Sequence, residues 1–188
     1  MNRLRFLVLA VSALAALGVV APAQAGASPY CGITWGSLPK SASDLGDREM
    51  VNDVRAGRHA CFDRLVVDVG GQDTTFRSYS VRYVPVVRQD GSGHAVPVRG
   101  AADLEIVLRA PAYDDRGEPT YLPADPREAV DVAGFRTFRQ VAYAGSFEGY
   151  TTLALGVRAR LPFRVFTLPG TPSSDDTPRL VIDVAHRW

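Results

Sequence analysis

The sequence predicts an all-β chain: a two-sheet β-sandwich of about seven or eight mostly antiparallel strands, with little helix. Three observations predict it. After residue 60, apolar and polar residues alternate with period two, the mark of strands buried on one face. Between the alternating runs lie short stretches of turn chemistry: "QDGSGH" (89–94), "DDRGEP" (114–119), "AGSFEGY" (144–150) and "LPGTPSSDDTP" (168–178). Segments with helical periodicity and a stop signal are scarce.

The chain opens on a secretory signal peptide, residues 1–25. Arg3 and Arg5 make a positive start, residues 6–20 are apolar apart from Ser12 and Gly18, and Ala23-Gln24-Ala25 supplies the small residues that a signal peptidase reads. The apolar run falls short of the ~20 residues that span a bilayer. Cleavage after Ala25, export, and no stable membrane insertion afterwards are therefore expected. The remaining 163 residues (188 less 25) suit one domain with its own core. Residues 26–60 read as an N-terminal segment tied by a disulfide and residues 61–188 as the sandwich. Within the first, Asp47 to Ala56 reads as a short helix ended by Gly57. Strands are expected at 64–69, 79–83, 103–109, 135–143, 152–157, 163–168 and 179–184, with one helical turn at Pro126 to Val130. "AGSFEGY" lies between two strand patterns and is expected to be a hairpin tip.

Without the leader, 19 basic residues face 20 acidic ones, in no blocks. Phosphate-backbone binding needs clustered positive charge, so nucleic acid is not an expected partner. Lys40 is the only lysine among 21 basic residues, a bias that genomic base composition explains as well as ligand recognition does. Cys31 and Cys61 are the only cysteines. Outside the cytoplasm such a pair is expected to be oxidised, pinning the N-terminal segment to the first strand of the sandwich. Two cysteines and three histidines at no ligand-like spacing predict no metal site and no cofactor.

One strand is written twice. "RLVVDV" (64–69) and "RLVIDV" (179–184) differ at one position of six. In each, the leucine and its period-two partners face one side. Arg64, Val66 and Asp68, or Arg179, Val181 and Asp183, face the other. Two arrangements are open. Paired antiparallel so that residue numbers sum to 247, the strands set Arg64 opposite Asp183 and Arg179 opposite Asp68, as complementary cross-strand pairs. Placed in different sheets, each strand instead shows water an Arg–Asp stripe that a ligand can use.

"FRVFTL" and "TPRLVIDV" (163–184) resemble the closing signature of AMIN domains. Together with "FDRLVVDV", "YSVRYV" and "GSFEGYTTLALGV" they resemble more closely the AMIN-like domain of secreted actinobacterial proteins, over roughly residues 30–188. The resemblance implies a sandwich of two small sheets. It also implies a non-catalytic envelope-binding role, since AMIN domains of cell-wall amidases target the enzyme to the wall and contact peptidoglycan.

No sequence pattern argues for an enzyme. His59, His94 and His186 form no HExxH or other paired spacing. Ser146 is in no GxSxG elbow. Asp114, Asp115 and Glu148 lie in turns, where carboxylates are usually solvated. "DGSG" lacks the later acidic ligands of a calcium loop. Two surfaces remain as ligand candidates. One is the Arg–Asp stripes: Arg64, Asp68, Arg179 and Asp183. The other is the hairpin tip, with Phe147, Glu148 and Tyr150 and with Tyr143 near its base, where aromatics beside a carboxylate suit a sugar unless Phe147 folds back as a cap. The expected function is a secreted, non-catalytic module whose partner is a cell-wall glycan or an envelope protein. The alternative is a structural or protein-interaction domain without glycan affinity.

Overall fold

The computed structural model describes residues 29–44, 49–71, 74–171 and 176–188; the leader expected at 1–25 lies outside them. Eleven strands follow in order among the described residues: β1 (Lys40–Ala42), β2 (Met50–Arg58), β3 (Phe62–Gly70), β4 (Tyr79–Val84), β5 (Val87–Arg88), β6 (Ala95–Val96), β7 (Ala102–Leu108), β8 (Phe138–Phe147), β9 (Tyr150–Val157), β10 (Phe163–Leu168) and β11 (Arg179–Ala185). The helical content described is two single 3-10 turns, Tyr30–Gly32 and Pro126–Glu128. Asp125 caps the second, its side chain accepting from the Arg127 N–H. No described helix is long and apolar enough to cross a membrane.

The strands form a five-stranded sheet in the order β1-β4-β7-β9-β8, a four-stranded sheet in the order β10-β11-β3-β2, and a small β5–β6 flap. Neighbours pair antiparallel throughout. The inner faces meet in one core. Leu65, Val67 and Val69 of β3 and Leu180, Ile182 and Val184 of β11 pack there with Leu104, Ile106, Leu108, Leu153, Leu155 and Phe163. The expected sandwich is therefore the observed one, and the alternation that predicted it is the inside–outside pattern of the two sheets. The β5–β6 flap covers part of the five-stranded sheet's outer face, closing Val87 over Ala142, Ala144 and Ala154. Small residues let it approach. At Gly156 a Cβ would lie 2.0 Å from the Arg99 carbonyl oxygen, so only glycine admits the crossing chain.

The structure departs from the expected elements in three places. Met50 to Arg58, read as mostly helix, is strand β2. Its register shifts between Val51 and Asp53, a bulge that lets Val51 and Val54 both enter the core. Two inward residues three apart imitate helical spacing. Because β2 belongs to the four-stranded sheet, residues 50–58 are part of the sandwich and not of a separate segment before residue 61. Finally, β1, β5 and β6, at two or three residues each, are too short to show alternation, which is why eleven strands replace seven or eight. The Cys31–Cys61 disulfide is present, with Cα atoms 6.4 Å apart.

Candidate functional site

The two copies of the repeated strand are neighbours. β11 and β3 pair with Arg64 opposite Asp183, Val66 opposite Val181 and Asp68 opposite Arg179. That is the antiparallel register of the first arrangement; the different-sheet arrangement is overturned. β10 continues the row on the other side, setting Arg164 opposite Asp183. One outward row of the four-stranded sheet therefore reads Arg164, Asp183, Arg64.

Asp183 is completely enclosed although it points outward. Its carboxylate needs internal partners, because a buried charge without them is costly. Arg64 forks onto it, Nε donating to Oδ1 at 2.7 Å and Nη2 to Oδ2 at 2.9 Å. Arg164 Nε donates to Oδ2 at 2.7 Å. The cluster thus holds two guanidinium charges against one carboxylate. The two arginines keep 24% and 32% of their side-chain surface exposed.

Aromatic rings frame both arginines. The Arg164 guanidinium carbon lies 5.0 Å from the centroid of Phe166, 5.4 Å from Phe62 and 5.7 Å from Trp35. That of Arg64 lies 5.1 Å from Phe62 and 5.5 Å from Phe166. These are cation–π distances. Trp35 arrives from outside the sheets. The disulfide ties its segment to the start of β3, Gly36 bridges to Phe163, and the Trp35 indole N–H donates to the Tyr30 carbonyl at 2.8 Å. Arg164, Phe62, Phe166 and Trp35 were missed in the sequence reading. For Arg164 and Phe166 a signal existed, since alternation in "FRVFTL" puts them on one face. For Trp35 there was none short of the disulfide geometry.

The other half of the repeat behaves differently. Arg179 pairs with Asp176 at 2.8 Å, and Asp68 pairs with Arg55 of β2, so these two residues sit opposite each other but take nearer partners. Val181, expected to meet water, is 1% exposed. The hairpin-tip residues lie on the other sheet. Phe147 and Tyr150 are cross-strand partners, about half exposed, and with Glu148, Asp90 and Gly91 they line a cleft of about 420 Å³. Tyr143 does not join them. It pairs with Leu153 on the inner face and packs edge-on to Tyr121 at 5.7 Å.

Asp63 and His186 form a second buried polar pair, at 3.2 Å. Asp63 also accepts the backbone N–H groups of Thr137 and Phe138. It is fully enclosed and His186 is 8% exposed, so the pair pins β8 to β3 and presents no open face. No group of three His, Cys, Asp or Glu residues that could hold a metal ion occurs among the described residues.

Comparison with known proteins places this face in a family. Searches of curated proteins and of solved structures found no significant match. A family model, the AMIN-like domain, matches residues 49–186. That stretch runs from the start of β2 to the end of β11 and takes in the whole Arg164–Asp183–Arg64 row. With most of its length matched and every strand but β1 inside the match, the chain belongs to the AMIN-like domain family.

Proposed function

We propose that this chain is a secreted, non-catalytic module that binds the cell envelope, contacting peptidoglycan or another wall glycan through the outer face of its four-stranded sheet. The observation that carries the reading is the Arg64–Arg164 pair. Two arginines already anchored by a buried carboxylate and framed by Phe62, Phe166 and Trp35 are preorganised donors beside apolar ring faces, and sugars are recognised by that combination. Family membership supports an envelope role, and the disulfide fits an oxidising compartment.

Co-sedimentation of the purified protein with isolated peptidoglycan tests the reading. The wild type is expected to pellet, and Trp35→Ala with Phe166→Ala to weaken binding about tenfold or more while the fold persists. Failure of the wild type to pellet would favour the second reading, a protein-interaction domain without glycan affinity. One observation speaks for that alternative: β10 is an edge strand whose outer side is bridged, among the described residues, only at Phe163 by Gly36.

A further inference from the structure

We infer that the outward edge of the Arg164 guanidinium is a subsite for a carboxylate carried by the wall ligand. The inference rests on the reading of this face as the binding surface and names the group that it selects.

The internal ion pairs show what is left over. Arg164 uses Nε on Asp183, and its Nη1 and Nη2 have no partner among the described residues. Arg64 uses Nε and Nη2 on the same carboxylate, which leaves its Nη1 without one. A row with two positive charges and one negative charge therefore carries a surplus positive charge at an edge that donates toward solvent. Asp183 is fully buried, so it cannot swing out to satisfy that edge.

The geometry of this edge suits a carboxylate. A guanidinium donates two parallel N–H bonds in its own plane, and a planar carboxylate accepts both. Arg64 and Asp183 already make such a forked contact within the row. A ligand carboxylate on Arg164 would repeat it and bring the row to two charges of each sign. The three rings around Arg164 limit competition from water and strengthen the pair. Trp35 lies outside the stretch matched by the family, which starts at residue 49. This wall of the subsite is thus supplied by the segment that the disulfide holds. Peptidoglycan bears carboxylates on its sugar-linked lactyl ethers and peptide stems wherever these are not amidated, whereas a phosphodiester wall polymer would offer tetrahedral phosphate instead.

The test uses three forms of isolated wall: untreated, stripped of phosphate polymers with hydrofluoric acid, and amidated at its carboxylates with carbodiimide and methylamine. Wild-type binding is expected to survive stripping and to fall about tenfold on amidation, as expected for loss of a charge-assisted contact. Arg164→Gln and Arg164→Lys should bind untreated wall about tenfold more weakly, and amidation should weaken them little further; the lysine variant keeps the charge but loses the fork. Thermal unfolding confirms that both variants fold, Arg64 still holding Asp183. Binding lost on stripping but kept on amidation would assign the edge to phosphate and overturn the proposal. Equal binding of wild type and both variants to every wall would also overturn it, while leaving the wall-binding reading intact. If the wild type binds no wall, both fall together.

Discussion

Arg64 and Arg164 meet on a single residue: both donate to Oδ2 of Asp183, at 2.9 and 2.7 Å, from strands on either side of β11. Each arginine is the other's substitute. Arg64→Ala or Arg164→Ala alone is expected to cost about 1–2 kcal/mol, the scale of one charged hydrogen-bonding partner. The double substitution leaves a buried carboxylate without a partner and should cost about 3–5 kcal/mol, beyond the sum of the singles. Denaturant unfolding of the four proteins checks this. Strict additivity would mean that the two arginines do not share Asp183.

Arg179 and Asp68 provide the contrast. They are register partners, but each is engaged elsewhere, by Asp176 and Arg55. A double-mutant cycle with Arg179→Ala and Asp68→Ala should be additive to within about 0.5 kcal/mol. A coupling above about 1 kcal/mol would show that the pair interacts directly across the strands.

The disulfide closes a separation of 30 residues. Removing it with Cys31→Ser and Cys61→Ser should lower stability by about 3 kcal/mol in the chain-entropy account. Circular dichroism should still show the sandwich, since Cys31 lies outside both sheets. Wall binding should weaken along with Trp35→Ala, because the bond ties the Trp35 segment to β3. A variant that loses stability but keeps full wall binding would separate the bond from the site.

The β8–β9 turn carries a local cost. Glu148 and Gly149 both have positive φ, 48° and 83°, as a two-residue hairpin loop of the primed type requires. Glutamate is poorly suited to the left-handed region, and asparagine tolerates it. Glu148→Asn is expected to raise stability by about 0.5–1 kcal/mol, measured as a shift in the thermal midpoint. A fall in the midpoint would mean that the Glu148 side chain contributes a contact of its own.

Alkaline pH should unfold the protein. Burial pushes the Tyr83 phenol up to about 12, partly offset by the positive charge of Arg160. Burial, then the charge of Asp53 and the neighbouring Tyr143, push Tyr121 up to about 12. From the ordinary tyrosine value near 10 to about 12, the unfolded chain gives up these protons and the folded one retains them. The folded state then holds more protons, so stability falls as pH rises. The unfolding midpoint should drop across that window, less steeply in Tyr83→Phe with Tyr121→Phe. A flat midpoint from pH 10 to 12 would refute the assignment.

What the sequence determined by itself was whatever repeats locally. The period-two alternation of residue types in β3, β4, β7, β9 and β11 is a property of neighbouring residues, so it was legible and with it the sandwich. The complementary Arg…Asp order of 64–69 and 179–184 was also legible, and it admitted the observed register as one of two arrangements. Only the tertiary structure decided between the two, because whether identical strands pair with each other depends on the path of the 109 residues between them. Burial likewise depended on long-range neighbours. Asp183 is enclosed because Arg164 of β10 lies over it along with Arg64 of β3, and Val51 and Val54 enter the core together because a bulge lies between them. Trp35 reaches the arginines through a covalent bond thirty residues long in sequence. Alternation records which way a side chain points from its own strand, while a binding face is made where different strands meet.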